Sequence, residues 1–391
     1  MPAASPLSSL QIAATPTMGW NSWNGFGVRV SDRLVRETAD SLASTGLRDL
    51  GYRWVVIDDC WTLHQRSASG DLVPDPERFP DGIKPLADHV HGLGMKLGIY
   101  SDAAELTCAR YPGSFGFEDQ DAAQWASWGI DFLKYDYCHA PADQATAVER
   151  YTRMGNALGK TGRQILFNAC EWGGRNPWLW ARAAGAHSWR VTPDVVDSWT
   201  DLWVPQNNWI GFGIDSAIDA AAALHDYGGP GGWNDLDMLV IGLKGAGSIP
   251  GEGATMREYR TQMSMWCMLC SPLMIGCDVR GLEAPTMEIL ANHELIAVSQ
   301  DPRGMQAVRV RQAGASEVWR KTLQDGSFAV ALLNRGAAVV DVPLRPADLG
   351  VLDSFRGVVR DLWKKQDIAD YSPSFSARVQ AHEAVVLRVT Q

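Results

Sequence analysis

The sequence has no long uninterrupted apolar stretch and no cluster of basic residues, and these absences exclude two classes of protein. A bilayer-spanning helix needs roughly 18–20 continuous apolar residues, and no such stretch occurs in the 391 residues. We therefore expect no contact with a membrane. Lys and Arg number 35 against 45 Asp and Glu, which gives a net charge of −10. A negative field repels phosphate backbones, so we expect no nucleic-acid partner.

Cysteines and metal-binding motifs are also sparse. The chain has seven cysteines, an odd number, so at least one is unpaired within the chain and a dense disulfide scaffold is excluded. Its eight histidines form no His-x-His at a strand end and no HExxH motif. Asp235 and Asp237 could in principle hold a hard cation, but we expect no metal and no other cofactor.

Short apolar runs alternate with amphipathic stretches over the first three quarters of the chain. The eight runs are 17–23, 54–61, 95–103, 132–138, 165–172, 188–194, 232–239 and 273–279. Short apolar runs between polar or Gly residues are typical of buried parallel strands. Eight strand-then-helix units predict a (β/α)8 TIM barrel over residues 15–302, after an N-terminal extension of residues 1–14. An open doubly wound sheet usually has a Gly-rich phosphate turn after its first strand, and none is present.

The pattern changes after residue 302. Short alternating segments follow one another closely at 308–310, 318–320, 328–333, 339–342, 358–361 and 384–389. Turn residues separate these segments, as is typical of antiparallel sheets. We therefore predict a C-terminal antiparallel β-sandwich domain over residues 303–391.

Carboxylates, aromatic rings and cations stand at the ends of almost all the predicted barrel strands. They are Trp20, Trp23, Asp58, Asp59, Tyr100, Asp102, Lys134, Asp136, Glu171, Trp172, Arg190, Asp194, Trp233, Asp235, Asp237 and Asp278. In a TIM barrel these ends form the floor of the active site. Any single Asp could instead cap a helix, but six strands ending this way favour a polar pocket for a sugar. With 17 Trp residues in the chain, the pattern suits glycoside cleavage, which needs paired carboxylates. Spacing alone does not indicate which pair.

Six motifs resemble glycoside hydrolase family 27 of clan D, whose best-known members are the α-galactosidases. The motifs occur in family order as TPTMGWNSW (15–23), IDDCW (57–61), LGIYSD (97–102), KYDYC (134–138), CEW (170–172) and GGPGGWNDLDML (228–239). This resemblance implies a retaining exo-glycosidase that removes terminal α-D-galactosyl residues through a covalent glycosyl–Asp intermediate. It places the nucleophile on Asp136 and the acid/base on Asp194. It also implies these sugar-binding residues: Trp23, Asp58, Asp59, Tyr100, Lys134, Glu171, Arg190 and Asp237.

The choice of sugar stays open at this point. β-L-Arabinopyranosidases, α-N-acetylgalactosaminidases and α-glucan-directed enzymes share the resemblance, and a non-catalytic carbohydrate-binding barrel is an alternative of another class. Intact Asp136 and Asp194 disfavour that last alternative, because a lectin needs no acid/base pair. We expect an oligosaccharide or glycoside as the only partner, apart from a possible homo-oligomer.

Two long connections and four cysteines complete the expectations. Residues 200–227 and 243–254 form longer connections than family members have, and we expect both over the pocket mouth. Cys108 and Cys138 follow adjacent strands and are disulfide candidates, whereas Cys60 and Cys170 lack the partners found in animal relatives. The possible disulfide and the habit of the family favour a secreted protein whose signal is absent from this chain, with a cytoplasmic location as the alternative.

Overall fold

Eight parallel strands form the first part of the protein, as the apolar runs predict. The structure is a computed structural model that describes residues 12–204 and 208–391, so most of the predicted N-terminal extension lies outside the described residues. The strands are β1 (Met18–Asn21), β2 (Trp54–Val56), β3 (Lys96–Asp102), β4 (Phe132–Asp136), β5 (Leu166–Cys170), β6 (Ser188–Arg190), β9 (Trp233–Asp235) and β10 (Leu273–Ile275). A hairpin of β7 (Leu202–Val204) and β8 (Trp209–Gly211) separates β6 from β9.

The sheet closes on itself. Its order is β10-β1-β2-β3-β4-β5-β6-β9, with every pairing parallel. A further parallel bridge between Leu239 and Ile275 joins the chain after β9 to β10. All eight strands therefore direct their carboxyl ends to the same rim, as in a TIM barrel.

Amphipathic helices cover the outside of the barrel. They are α1 (Trp23–Phe26), α2 (Asp32–Ser44), α3 (Lys84–Gly92), α4 (Glu118–Trp128), α5 (Gln144–Lys160), α6 (Ile214–Ala221), α7 (Met256–Met268), α8 (Ala284–Leu290) and α9 (His293–Ser299). Side chains cap several of them at the first turn. Ser31 accepts from Leu34 N at the start of α2, and Thr255 forms a capping box with Glu258 at the start of α7. Such caps satisfy orphan N–H groups of the first turn.

The C-terminal part is an antiparallel β-sandwich. Its strands are β11 (Val308–Ala313), β12 (Ser316–Thr322), β13 (Phe328–Asn334), β14 (Val340–Pro343), β15 (Gly357–Asp361), β16 (Gln366–Tyr371), β17 (Ser376–Val379) and β18 (Glu383–Thr390), with helix α10 (Pro346–Leu349). A six-stranded sheet, β11-β12-β13-β18-β15-β16, faces the pair β14-β17 across an apolar core.

Contacts between the two parts are close. The indole of Trp363 donates to Ser264 Oγ at 2.9 Å, and the Thr261 hydroxyl donates to the His382 carbonyl at 2.8 Å. One apolar cluster includes residues of both parts, among them Trp266 and Trp319. The sandwich therefore supports α7, which follows the seventh barrel strand. The domain boundary at 302/303 stays a prediction.

Candidate active site

Asp136 is the last residue of β4 and lies buried at the carboxyl rim, 5% exposed. Its Oδ2 accepts from the Tyr100 hydroxyl at 3.1 Å, and its Oδ1 accepts from Tyr137 N at 3.0 Å. Burial raises the pKa of Asp136 to about 6, while the neighbouring Lys134 ammonium lowers it and the Asp194 carboxylate raises it. Two donors therefore hold the Asp136 carboxyl, and its raised pKa means that it takes up a proton at a higher pH than an ordinary Asp.

Lys134 connects β4 to the end of β2. Its Nζ donates to Asp58 Oδ2 at 2.8 Å, and Asn21 Nδ2 donates to the same oxygen at 2.8 Å. Burial lowers the pKa of Lys134, but the surrounding acidic groups, Asp58 foremost and then Asp136 and Asp194 among others, together raise it above its usual value. Removing one partner of such a buried pair leaves an uncompensated charge, so Lys134 and Asp58 act as a unit.

Asp59 follows Asp58 but faces other groups. Its Oδ1 accepts from Cys60 N at 2.6 Å and its Oδ2 from Ala109 N at 2.9 Å. Burial raises the pKa of Asp59 to about 6. Cys60 has φ of +72°, an uncommon conformation for a residue other than Gly. The Asp58 carboxylate adds to the raised pKa of Asp59, so the two consecutive carboxyls lie near each other.

Asp194 differs from Asp136 in its exposure. It lies four residues after the end of β6, and its side chain is 35% exposed, whereas the Arg190 side chain is 2% exposed. Arg190 Nη2 donates to Asp194 Oδ1 at 3.1 Å, and Arg190 Nη1 contacts Asp237 Oδ1 at 2.9 Å. Burial raises the pKa of Asp237 to about 7, against the opposing effect of Arg190. A buried cation thus holds a buried and a partly exposed carboxyl together.

The remaining predicted residues lie around this group in different ways. Trp23 is half-buried at the start of α1, and Tyr100 is 2% exposed beside Asp136. Glu171 is fully buried, and both its oxygens accept from Arg175 N at 2.9 and 3.0 Å. Arg175 Nη1 also contacts Glu171 at 3.2 Å. Glu171 therefore faces Arg175 in this structure rather than an open pocket.

Two further residues belong to the site, although the family resemblance assigned neither to it. Asp102 ends β3, is fully buried, and accepts from Cys138 N at 2.9 Å. Asn21 ends β1 and donates to Asp58. Asp102 is one of the strand-end acids of the sequence, and Asn21 lies within the first predicted strand. Their positions along these strands are the sequence signal that could have identified them.

The predicted disulfide is present. Cys108 and Cys138 are bonded, with their Cα atoms 5.0 Å apart, while Cys60 and Cys170 are free, as expected.

Among the described residues, one group of potential metal ligands comes together, namely Asp102 and Asp136 with the two bonded sulfurs. Disulfide sulfurs cannot act as thiolate ligands, so this donor set suits no metal that needs four ligands.

Both long connections bond to segments that carry site residues. Phe212 N, just after the β7–β8 hairpin, donates to the Asp194 carbonyl at 3.0 Å. Residues 243–254, here called the rim loop, reach the first strand end, where Ser248 N donates to the Asn24 carbonyl at 2.6 Å. Residues 205–207 of the first connection lie outside the described residues.

Comparisons with known proteins show the family of this chain. The family model described as alpha galactosidase A matches residues 15–301, and the model of the alpha galactosidase C-terminal beta sandwich domain matches residues 313–389. The chain belongs to the α-galactosidase A family of glycoside hydrolases. α-Galactosidase 3 of Arabidopsis thaliana is 45% identical and covers 95% of this chain and 81% of its own length. The α-galactosidase of Cyamopsis tetragonoloba is 42% identical, over 95% of this chain and 85% of that protein.

Solved structures of the α-galactosidase A family agree over nearly the whole chain. α-Galactosidase I from Mortierella vinacea superimposes with a TM-score of 0.91 at 39% identity and covers 97% of this chain and 98% of its own. The Saccharomyces cerevisiae α-galactosidase with raffinose has a TM-score of 0.90 at 30% identity, over 99% of this chain and 100% of that one. This member of the family is therefore an enzyme, a glycoside hydrolase with a TIM-like barrel and a β-sandwich.

Replacing Asp136 with Asn should stabilise the folded protein at neutral pH. The folded-state pKa of Asp136, about 6, lies above the ordinary Asp value of about 3.9. The ionised form therefore costs stability, and this cost grows as the pH rises between these two values and then stays constant. We expect the stability of Asp136→Asn relative to wild type to increase by about 2 kcal/mol from pH 4.5 to pH 7, measured by urea unfolding. A constant difference would contradict the raised pKa.

Proposed function

We propose that the protein is a retaining exo-α-galactosidase in which Asp136 is the nucleophile and Asp194 is the acid/base. The observation that carries this proposal is that the two carboxyls differ in exposure and in their neighbouring cations. Asp136 is buried beside the Lys134 ammonium, and Asp194 is one-third exposed on Arg190. Strands β4 and β6 lie on either side of β5, and the Asp194 carboxylate raises the pKa of Asp136, which supports a shared role of the two carboxyls in one pocket.

In the first step, Asp136 attacks the anomeric carbon and the carboxyl proton of Asp194 passes to the departing glycosidic oxygen. A nucleophile of this kind has to be ionised, and the Lys134 ammonium favours that form. Asp194 is exposed enough to meet a leaving group that extends toward solvent. Retention needs the two carboxyl groups about 5–5.5 Å apart, because a covalent ester forms between the sugar and one of them.

In the second step, formation of the glycosyl ester removes the negative charge of Asp136. Asp194, which gave up its proton in the first step, then no longer faces that charge. As a carboxylate it takes a proton from water, which attacks the anomeric carbon and releases Asp136. Arg190 touches Asp194 at 3.1 Å and Asp237 at 2.9 Å, so it compensates the Asp194 carboxylate once the proton has left.

The galactosyl unit would bind to the polar groups around Asp136. Asp58, Asp59 and Lys134 present charged oxygens and an ammonium to the O3, O4 and O6 hydroxyls, and Trp23 offers an apolar face near C6. Charge-assisted hydrogen bonds of this kind are stronger and more directional than neutral ones. Tyr100 and Asp237 would line the wall, and Arg190 would bind O2. Glu171 could join Arg190 at O2 only by giving up part of its contact with Arg175.

Galactose is favoured over the other sugars by the relatives at 42–45% identity, which are named α-galactosidases. Arabinopyranose lacks the C6 hydroxymethyl group that Asp58, Asp59 and Trp23 would hold. The substrate class we propose is thus an oligosaccharide or glycoside that ends in α-D-galactose.

A panel of nitrophenyl glycosides tests the substrate. We expect fast release from the α-galactoside and at least roughly tenfold lower kcat/KM for the β-L-arabinopyranoside, since loss of a bound hydroxyl costs transition-state binding. The α-N-acetylgalactosaminide and the α-glucoside should be hydrolysed more slowly still. Release from none of the four, with a folded protein, would refute a galactosidase, and a preference for another sugar would move the specificity to that sugar.

The pH dependence of kcat/KM tests the nucleophile. Asp136 must be ionised, and its raised pKa of about 6 means that it takes up a proton as the pH falls through that value. We expect kcat/KM for nitrophenyl α-galactoside to fall about tenfold per pH unit below it. Asp59 has a similar pKa, so the Asp59→Asn variant is the control and should keep the same acid limb. An acid limb near pH 4 would contradict the assignment.

We also propose secretion, which the Cys108–Cys138 disulfide supports because such bonds persist in oxidising compartments. Over the described residues, no helix is long and apolar enough to cross a membrane. A homo-oligomer stays a prediction.

A further inference from the structure

The segment after β6 carries Asp194 but has little regular structure of its own. Residues 191–200 include no helix and no strand, and the Asp194 side chain has one side-chain hydrogen-bond partner among the described residues, Arg190. The position of its carboxyl therefore depends on how the backbone of 194–199 is held. Two bonds hold the start of this segment: Phe212 N donates to the Asp194 carbonyl at 3.0 Å, and Val195 N donates to Asp237 Oδ2 at 2.8 Å.

Asp197 holds this segment from the other side. Its side chain is 1% exposed and accepts hydrogen bonds from two elements. Gly245 N donates to Oδ2 at 2.7 Å and Ala254 N to Oδ1 at 3.0 Å, both from the rim loop. The Tyr259 hydroxyl of α7 reaches both oxygens, at 2.8 and 3.0 Å. The Asp197 carbonyl also accepts from Gly253 N at 3.0 Å. No cation is among these partners, so the carboxylate is stabilised by donors alone.

The rim loop is built for this close approach. A Cβ on Gly251 would lie 2.6 Å from Asp197 Cβ, and a Cβ on Gly247 would lie 2.5 Å from the Asn24 carbonyl oxygen. At its far side the loop bonds to the segment of Trp23, whose carbonyl accepts from the Ser248 hydroxyl. One loop thus joins the segment of the proposed acid/base to the segment of the proposed sugar-stacking ring.

We infer that Asp197 is a positioning residue for Asp194: it anchors residues 194–199 to the rim loop and to Tyr259, and so holds the acid/base carboxyl within reach of the glycosidic oxygen. This inference rests on the proposed function. A residue that serves stability alone would affect all substrates equally. Loss of a positioning residue for the acid instead affects the step in which the leaving group is protonated. A displacement of about 1 Å can cost roughly 100-fold in rate.

The test compares leaving groups. Asp197→Asn replaces one accepting carboxylate oxygen with a donating amide nitrogen. This NH2 group then faces the N–H of Gly245 or Ala254, and that hydrogen bond is lost. We expect kcat/KM for a methyl or sugar aglycone, which needs protonation, to fall roughly 10- to 100-fold. A 2,4-dinitrophenyl aglycone leaves without an acid, and its kcat/KM should change less than about threefold. Equal losses for both aglycones, or no loss, would overturn the inference.

Two variants keep the experiment decisive. Tyr259→Phe removes a single hydroxyl from Asp197 at constant ring size and should show the same leaving-group dependence with a smaller loss, including where Asp197→Asn does not fold. Asp348→Asn is the matched control, because Asp348 is also a buried Asp and accepts from Arg311 and from Arg345 N within the sandwich. It should reduce thermal stability and leave both kcat/KM values as in wild type. A wild-type enzyme inactive on every galactoside would refute the proposed function itself, whereas an active one with uniform losses in the variants would refute only the role of Asp197.

Discussion

Replacing Asp136 with Ala should lower kcat/KM for nitrophenyl α-galactoside by roughly four orders of magnitude or more, as the loss of a nucleophile does in other covalent enzymes. No other carboxylate can take its place. Asp58 is bonded to Lys134 and Asn21, and Asp102 is fully buried and bonded to backbone N–H groups. Nitrophenolate departs with little help from Asp194, so a large loss on this substrate reports the nucleophile rather than the acid.

Azide should restore turnover in Asp136→Ala, because the small anion fits the space left by the carboxylate and attacks the same face of the sugar. A single displacement inverts the anomeric centre, so the product should be β-galactosyl azide, identified by the coupling constant of its anomeric proton. Recovery of α-galactosyl azide from this variant would mean that another residue forms the ester.

The control for this loss lies at the other end of the same strand. Asp131 precedes β4, is 7% exposed, and is bonded to Arg163 at 2.6 Å and His91 at 2.7 Å. Residues at the amino-terminal face of a barrel serve stability rather than catalysis. Asp131→Ala should therefore unfold at a lower urea concentration and keep kcat/KM within about threefold of wild type. A loss equal to that of Asp136→Ala would show that damage to β4, rather than chemistry, explains both.

The barrel could be predicted from the sequence because burial on both faces makes each parallel strand a continuous apolar run. All eight runs contain an observed strand, for example 132–138 around β4. In the sandwich, six of the eight strands were predicted. β16 was missed because most of its residues are exposed, and β17 because its polar–apolar alternation covers four residues, the lower limit of a recognisable strand pattern.

Most residues of the candidate site could be proposed from the sequence, but Asn21 and the partners of the site residues could not. The ends of parallel strands meet at one rim, and this rule alone places Asp58, Lys134 and Asp136 close together. The contact of Glu171 with Arg175 depends on a tight turn after β5 that no periodicity reveals. The anchoring of Asp197 by Gly245 and Ala254 depends on backbone N–H groups 48 and 57 residues away, and sequence patterns report side chains rather than such long-range backbone contacts.

Replacing Asp194 with Ala should have an effect that depends on the leaving group, which a lost nucleophile cannot imitate. Without the acid, kcat/KM for a sugar aglycone should fall roughly 100- to 10,000-fold, the range expected of general acid catalysis. For 2,4-dinitrophenyl α-galactoside kcat/KM should stay close to wild type, since this phenolate leaves unprotonated. The second step still needs the base, so kcat should fall and the glycosyl–Asp136 ester should accumulate, visible as a burst of dinitrophenol and as added mass on the peptide 132–138.

Azide distinguishes the two aspartates by stereochemistry. In Asp194→Ala the ester on Asp136 still forms, and azide then attacks the face from which the aglycone left, so two inversions give α-galactosyl azide. Asp278→Ala is a suitable control, because Asp278 also follows a barrel strand but is paired with Arg280 at 2.8 Å and partly exposed. It should show neither a burst nor azide products. β-Azide from Asp194→Ala together with α-azide from Asp136→Ala would exchange the two roles, and it would make the partly exposed carboxyl on Arg190, rather than the buried one beside Lys134, the group that bonds to the sugar.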